Sequence, residues 1–196
     1  MTTIDISGCH KTAEQIANEF VPSSELLRCL ENLENRIKPD VEEQLLSEQR
    51  LFLDGAWPEP LFCPRRALSS PPGVAWPSVP VNDALCDFNR MALQQFGACS
   101  AELESGSGAP LAVRANYGVC ISSAWFGCEL RMMDPEMNAL PTSLPLDDRD
   151  RIRALVDAGV PEVTTGYGAR VFAMGLIFAR LARDYPRIAR YVRVYH

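Results

Sequence analysis

The sequence has little histidine and lacks the common catalytic motifs. His10 and His196 are its only histidines, and none of its seven cysteines belongs to a CxxC pair. No zinc-site spacing can be assembled from these residues, so we predict no metal site within the chain. The GxSxG, HExxH and P-loop motifs are also absent, which argues against the enzyme classes that depend on them.

Long apolar runs are missing as well. Nothing approaches the roughly 20 consecutive apolar residues of a membrane span, and the N-terminus lacks a charged-then-apolar signal pattern. We therefore expect a cytoplasmic protein with no membrane contact. The net charge of −6 argues against general nucleic-acid binding.

Charge is spread unevenly along the chain. Residues 1–60 hold twelve acids against five bases, whereas residues 149–196 hold nine arginines against four acids. One explanation is solvated helix faces together with contacts between the two ends. The other is a basic C-terminal region that binds an acidic ligand.

Residues 1–100 are predicted to form a helical N-terminal extension. Apolar residues recur at helical spacing over about 23–38, 40–54 and 82–97. Asp40 and Asn82 are the predicted N-caps of the second and third helices. Between them, seven prolines over 58–80 exclude regular structure. Because Trp57 and Trp76 lie in this Pro-rich part, we expect residues 56–80 to wrap over the body as an ordered segment.

Residues 101–196 are predicted to begin an α/β barrel. Strand patterns at 111–117 and 191–196 flank a loop or short helix at 118–127, a short helix opened by Asp147 or Asp148, and a helix at 169–184 that ends before Pro186. The order of these patterns, in which two helices lie between two strands, favours a parallel sheet. The chain stops on a strand that looks central, so we expect the front part of a longer, truncated α/β protein.

The predicted catalytic residues lie where strands end. Arg114, Asn116 and Tyr117 close the first strand, and His196 closes the last. In α/β barrels this edge carries the site. An imidazole at His196 could transfer protons near neutral pH, with Asn116 and Tyr117 beside it and Arg114 holding substrate. The alternatives are a loop cap for Asn116 and an exposed terminus for His196.

A second candidate site lies at a helix start. Gly166-Tyr167-Gly168 precedes the helix that carries Arg170. Free N–H groups at a helix start attract anions, so Gly168 and Arg170 are predicted to bind an anionic substrate. Val171 occupies the place of the third glycine of a dinucleotide motif, which disfavours that cofactor. A plain turn is the alternative.

Several segments resemble a known superfamily. They are Phe52-Leu53-Asp54-Gly55, Cys63-Pro64-Arg65-Arg66, Val113-Arg114-Ala115-Asn116-Tyr117-Gly118 with Trp125-Phe126-Gly127, Leu140-Pro141-Thr142, and Arg190-Tyr191-Val192-Arg193-Val194-Tyr195-His196. From about residue 30 onward the chain resembles divergent bacterial members of the uroporphyrinogen decarboxylase-like superfamily. That resemblance implies the N-terminal portion of a (β/α)₈ TIM barrel.

The resemblance implies one of two activities. Superfamily decarboxylases act on tetrapyrroles without a cofactor, and its methyltransferases use zinc and a corrinoid, with zinc ligands that would lie outside this chain. The chain lacks the decarboxylases' arginine-rich loop, and Asn116 stands near the place of their catalytic aspartate. An amide cannot supply a carboxylate's charge.

The departures from the family keep further alternatives open. One is a non-catalytic module that binds a tetrapyrrole or another small anionic molecule. Another is a partial barrel completed by a partner chain, with a homodimer as one form of such an assembly.

Overall fold

The structure, a computed structural model, describes residues 11–66, 69–164 and 167–195. Helices predominate, and the strands are short. The helices are α1 (Ala13–Glu19), α2 (Ser24–Arg36), α3 (Pro39–Leu53), α4 (Val81–Cys86), α5 (Phe88–Ser105), α6 (Ile121–Trp125), α7 (Arg149–Ala158), α8 (Tyr167–Ala182) and α9 (Pro186–Tyr191). The strands are β1 (Ala112–Arg114), β2 (Leu130–Arg131), β3 (Thr142–Ser143) and β4 (Arg193–Tyr195).

Two of the N-terminal helix predictions are confirmed, but their caps differ. The Ser23 side chain accepts a hydrogen bond from the Leu26 backbone N–H (3.1 Å) and starts α2. The predicted cap at Asp40 is wrong. Lys38 is the N-cap of α3, with Pro39 at the first helical position, because proline has no N–H to leave unpaired there.

The helix predicted at 82–97 is present as two helices, because the chain breaks at Asp87. This residue is extended (φ −128°, ψ 128°) and separates α4 from α5. Its carboxylate accepts a hydrogen bond from the Arg90 backbone N–H (2.8 Å), so Asp87 rather than Asn82 starts the long helix.

The predicted parallel sheet is present as one pair of short strands. β1 pairs with β4 in parallel register, with Ala112 opposite Arg193 and Arg114 opposite Tyr195. β2 and β3 form a separate antiparallel pair that the sequence did not indicate. Pro186 begins α9 instead of leading directly into the last strand. The chain is therefore of mixed α/β character, and its described residues contain no closed barrel.

The core lies between α2, α5 and α8. α2 packs on α5, α1 packs on α8, and β1 lies against α5. Phe96 of α5 and Phe178 of α8 meet edge to face, with ring centroids 5.6 Å apart. Cys29 and Cys99 are buried in this core, as expected for apolar cysteines, whereas Cys63 and Cys86 are exposed.

The Pro-rich segment contacts the body at a few residues, and its wrapping over 56–80 stays a prediction. The Arg66 guanidinium donates two hydrogen bonds to the Glu42 carboxylate, at 2.7 and 2.8 Å, and both side chains are buried. Val79 is buried and Trp76 packs against the core. This ion pair therefore attaches the segment to α3.

The two ends of the chain also contact each other. This contact agrees with one of the two explanations given above for the uneven charge distribution. Arg190 of α9 forms an ion pair with Glu43 of α3 at 2.8 Å. The Glu34 carboxylate accepts hydrogen bonds from the backbone N–H groups of Arg187 and Ile188. Within the described ranges, no helix has the length and apolarity needed to cross a membrane.

Candidate functional site

The segment that leaves β1 sends alternate side chains to opposite sides. Val113, Ala115 and Tyr117 are buried, Arg114 is exposed and Asn116 is half-buried. The Tyr117 N–H donates to the Ala115 carbonyl (2.9 Å), which closes a tight turn around Asn116. The Tyr117 ring therefore enters the core, while Arg114 and Asn116 lie on the other side of the chain.

A glycine lets the chain turn after Tyr117. Gly118 has φ +84°, in the left-handed region, and a Cβ there would lie 3.4 Å from Leu140. Other side chains are strained in that conformation. The glycine holds the start of α6 close to the end of β1.

Tyr117 lies in a group of aromatic residues around Arg170, which we call the arginine–tyrosine cluster (Phe88, Tyr117, Trp125, Tyr167 and Arg170). The rings of Tyr117 and Tyr167 meet edge to face at 5.8 Å. The Arg170 guanidinium carbon lies 4.7 Å from the Phe88 ring centroid and 5.7 Å from that of Tyr117.

The guanidinium of Arg170 is also held by the end of α4. Its Nη2 donates to the carbonyl oxygens of Leu85 (3.0 Å) and Cys86 (3.1 Å). None of the carboxylates in the described part of the chain forms a salt bridge with Arg170. Its positive charge is therefore fixed in place without a counterion from these residues.

Gly168 permits the close packing of α8 in this cluster. A Cβ at this position would lie 1.8 Å from the Val163 carbonyl oxygen and 2.7 Å from Trp125 Nε1. A larger side chain would displace the indole or the backbone. Gly168 therefore brings Trp125 of α6 against the start of α8.

Four polar groups of the cluster form no hydrogen bond of regular geometry in the described structure, although the Tyr117 hydroxyl is close enough to the Arg170 side chain to interact with it. They are the hydroxyls of Tyr117 and Tyr167, Nε1 of Trp125 and Nε of Arg170, and all four atoms are buried. Each carries a hydrogen that it can donate, and the two nitrogens can only donate. Such a set suits a ligand rich in acceptor oxygens.

Burial keeps both tyrosines in the hydroxyl form at neutral pH. It raises the pKa of Tyr117, and the nearby Arg170 charge opposes this rise only in part. Burial also raises the pKa of Tyr167 to about 12. Both hydroxyls can therefore donate a hydrogen bond at neutral pH.

A cavity of about 650 Å³ lies next to the cluster, and we call it the methionine pocket. Cys86, whose carbonyl binds Arg170, is one of its walls. The lining otherwise comes from Asn82, Asp83, Arg131, Met132, Met133, Asp134, Pro135, Met137 and Thr142. Its size is within the range of about 300–1,000 Å³ that is usual for small-molecule sites.

The structure brings some of the predicted site residues together and leaves others apart. Tyr117, Gly168 and Arg170 meet in the arginine–tyrosine cluster. Arg114 and Asn116 lie at the end of β1, with no side-chain hydrogen bond to the cluster. His196, and Gly166 of the predicted anion-binding turn, lie outside the described residues.

Sequence reasoning did not assign Trp125, Tyr167 and Phe88 to the site. Tyr167 lies between the two glycines of the predicted anion-binding turn, and that position could have indicated it. Trp125 and Phe88 give no comparable local pattern, since only the packing of α6, α4 and α8 brings them together. The described residues contain no cluster of His, Cys, Asp or Glu suited to a metal ion.

Comparisons with protein-family models, with curated proteins and with solved structures find no match to this chain.

Proposed function

We propose that this chain binds a small anionic molecule, with the arginine–tyrosine cluster as the polar end of the site. The proposal rests on the four buried donor groups that lack hydrogen bonds of regular geometry. One of them belongs to Arg170, which forms no salt bridge with a described carboxylate. A buried donor left unpaired is costly, whereas a carboxylate oxygen accepts hydrogen bonds from several such groups.

The methionine pocket suggests the rest of the ligand. Met132, Met133 and Met137 supply a flexible apolar lining that adapts to irregular shapes. Asp83 and Asp134 also line it, and we place the anionic group at Cys86 because the carbonyl oxygen of this residue accepts a hydrogen bond from Arg170. A bulky apolar molecule with carboxylate arms fits this description, and a tetrapyrrole is one such molecule.

Binding of coproporphyrin, a tetrapyrrole with propionate side chains, tests the proposal. Tyr117→Phe and Tyr167→Phe each keep the ring and remove one donor. We expect each to weaken binding roughly 10-fold to 100-fold, because a hydrogen bond to a charged group contributes about 1.5–3 kcal/mol. Tryptophan fluorescence quenching gives the dissociation constants.

The matched control is Tyr185→Phe, since the Tyr185 hydroxyl points to the Leu27 carbonyl at 3.5 Å, outside the cluster. It should bind coproporphyrin as the unmodified chain does. If all three variants bind alike, or if the unmodified chain does not bind, the cluster is not the site of a carboxylate ligand of this class.

A second candidate is an enzyme domain of the uroporphyrinogen decarboxylase type, for tetrapyrrole decarboxylation or corrinoid-linked methyl transfer. The parallel pairing of β1 and β4 through connecting helices favours it, because this is how a (β/α)₈ barrel is built. Asn116 follows β1 at the carboxyl end of that strand, and His196 comes next after β4 in the sequence, outside the described residues. In this candidate they would act at the barrel mouth, with Arg114 and Tyr117 assisting.

Turnover separates the two candidates. An enzyme would release carbon dioxide from uroporphyrinogen or move a methyl group from a corrinoid, and Asn116→Ala would lower that rate while leaving coproporphyrin affinity unchanged. Tight binding without either reaction supports the binding module alone. Equal turnover in Asn116→Ala and the unmodified chain would remove the catalytic role of Asn116.

A further inference from the structure

Helix α7 presents an apolar groove that the described chain leaves open. None of its residues is buried, and it makes no extensive contact with another helix or strand. Val156 is 74% exposed and Val160, just after the helix, is 90% exposed. With Phe126, Leu146, Ile152 and Leu155 they line a groove of about 380 Å³, which we call the α7 groove.

Arginines border this groove on both sides. With about 3.6 residues per turn, Arg149 lies beside Val156 at one edge of the apolar face, and Arg151 lies beside Leu155 at the other. Arg151 also donates to the Gly127 carbonyl at 2.5 Å, which attaches the helix to the end of α6. Asp150 and Asp157 fall on the opposite face of α7. The groove therefore suits an apolar surface that carries negative charge.

The end of α3 carries such a surface, which we call the aromatic platform (Phe52, Leu53, Trp57, Leu61 and Phe62). Phe52 stacks on Phe62 with centroids 4.4 Å apart, and Trp57 meets Phe62 edge-on at 5.1 Å. Leu53 is 80% exposed and Leu61 is 68% exposed.

The platform is held in shape by its own backbone. The Ala56 N–H donates to the Leu51 carbonyl (2.8 Å), and Gly55 takes φ +70°. These are the features of a helix C-terminus closed by a glycine. A preformed apolar surface loses little entropy when it docks.

The charges beside the platform complement those of the groove. Glu48, Asp54 and Glu59 lie near it in the sequence against one base, Arg50 of the last turn of α3, and none of the three acids forms an ion pair with another described residue. Acids of α3 pair with Arg66 and Arg190 elsewhere in the fold. The arginines that border the α7 groove have no such acidic partner on another helix.

We propose that the α7 groove receives the aromatic platform of a second copy of this chain. Both surfaces are exposed in one chain, so they do not cover each other within it. The contact joins two different surfaces, so in a pair of copies one keeps a free platform and the other keeps a free groove. Such head-to-tail contacts build rings or open filaments.

Sedimentation velocity over a range of protein concentrations tests the proposal. Val156→Asp places a charge in the groove, and Leu53→Lys places a positive charge on the platform. Each should weaken self-association about tenfold or more, because charge is disfavoured at the apolar centre of an interface. Val21→Asp, at a position 75% exposed but outside both surfaces, is the matched control and should associate normally.

Mixing the two variants gives the sharpest outcome. Val156→Asp keeps an intact platform and Leu53→Lys keeps an intact groove, so together they should form a heterodimer that cannot extend further. Val160→Asp, outside the helix, checks that loss of association does not come from unfolding of α7. A chain that is monomeric at every concentration, or variants that fail to recover on mixing, would overturn the proposal.

Discussion

At the residue scale, the arginine–tyrosine cluster combines tight packing with unpaired donors. Tyr117 and Tyr167 are nearly fully buried, yet their hydroxyls form no hydrogen bond of regular geometry with the described residues. A third buried tyrosine, Tyr191, has a hydrogen-bond partner, since its hydroxyl donates to Glu43 at 2.8 Å. The two kinds of tyrosine should therefore respond differently when the hydroxyl is removed.

We expect Tyr117→Phe to raise the free energy of unfolding of the ligand-free chain by about 1 kcal/mol, because it removes a polar group that is buried without a hydrogen bond. Tyr191→Phe should lower it by a similar amount, because Glu43 loses a donor. Urea unfolding measures both. Destabilisation of the chain by both substitutions to the same extent would show that the Tyr117 hydroxyl is paired.

The sequence predicted this cluster only in part. Tyr117, Gly168 and Arg170 were assigned to the site because strand ends and helix starts expose polar groups in predictable places. Asn116 was expected beside Tyr117, but neighbouring residues of an extended chain point to opposite sides. Trp125 depends on the contact of α6 with α8, which is long-range information.

At the element scale, the break between α4 and α5 sets the geometry of the site. Because α4 ends at Cys86, the carbonyls of Leu85 and Cys86 are free to bind Arg170. A continuous helix would have engaged those carbonyls in its own hydrogen bonds. The apolar spacing runs unchanged across Asp87, so the sequence pattern predicted one helix where there are two.

Asp87→Ala should lower the free energy of unfolding by about 1 kcal/mol, because the first turn of α5 loses its cap and α5 forms part of the core. Asp148→Ala removes the matching cap of α7, which accepts hydrogen bonds from Asp150 and Arg151. Because α7 buries nothing, we expect little change in global unfolding there. Equal losses in the two variants, measured by urea unfolding, would contradict this.

At the scale of the whole molecule, ion pairs connect segments that are distant in sequence. Glu42 and Arg66 join α3 to the Pro-rich segment in a buried environment, with side chains only 6% and 2% exposed. Glu43 and Arg190 join α3 to α9 at the surface. Glu42 and Glu43 are adjacent in sequence, so they allow a direct comparison between a buried ion pair and an exposed one.

Glu42→Gln should lower the free energy of unfolding by about 3–5 kcal/mol, because Arg66 stays buried without a counter-charge. Glu43→Gln should lower the free energy of unfolding by less than about 1 kcal/mol, since solvent screens exposed ion pairs. Replacing both Glu42 and Arg66 with apolar residues should recover much of the loss. Thermal unfolding compares the variants, and equal effects at the two acids would contradict the assignment.

Much of the overall arrangement followed from local patterns, but the long-range contacts did not. Helix spacing predicted α2 and α8, and the order of strand and helix patterns predicted a parallel sheet, of which the structure has one pair. The partner of Arg66 could not be predicted, because residues 60–82 contain no acid and only long-range packing selects Glu42. The partial barrel and the division at residue 100 stay predictions.

The parallel pairing of β1 with β4 also bears on the speed of folding. Ala112 and Arg193 are far apart in sequence, so their contact requires closure of a long loop. The α2–α5 contact is more local and can form first, whereas β1 stays unpaired until the segment through α9 has been placed. Pairing of this kind makes folding slow and leaves strand edges open for longer. During synthesis, the edge of β1 would remain unpaired until nearly all of these residues had emerged, and that interval is when the chain is most prone to aggregate.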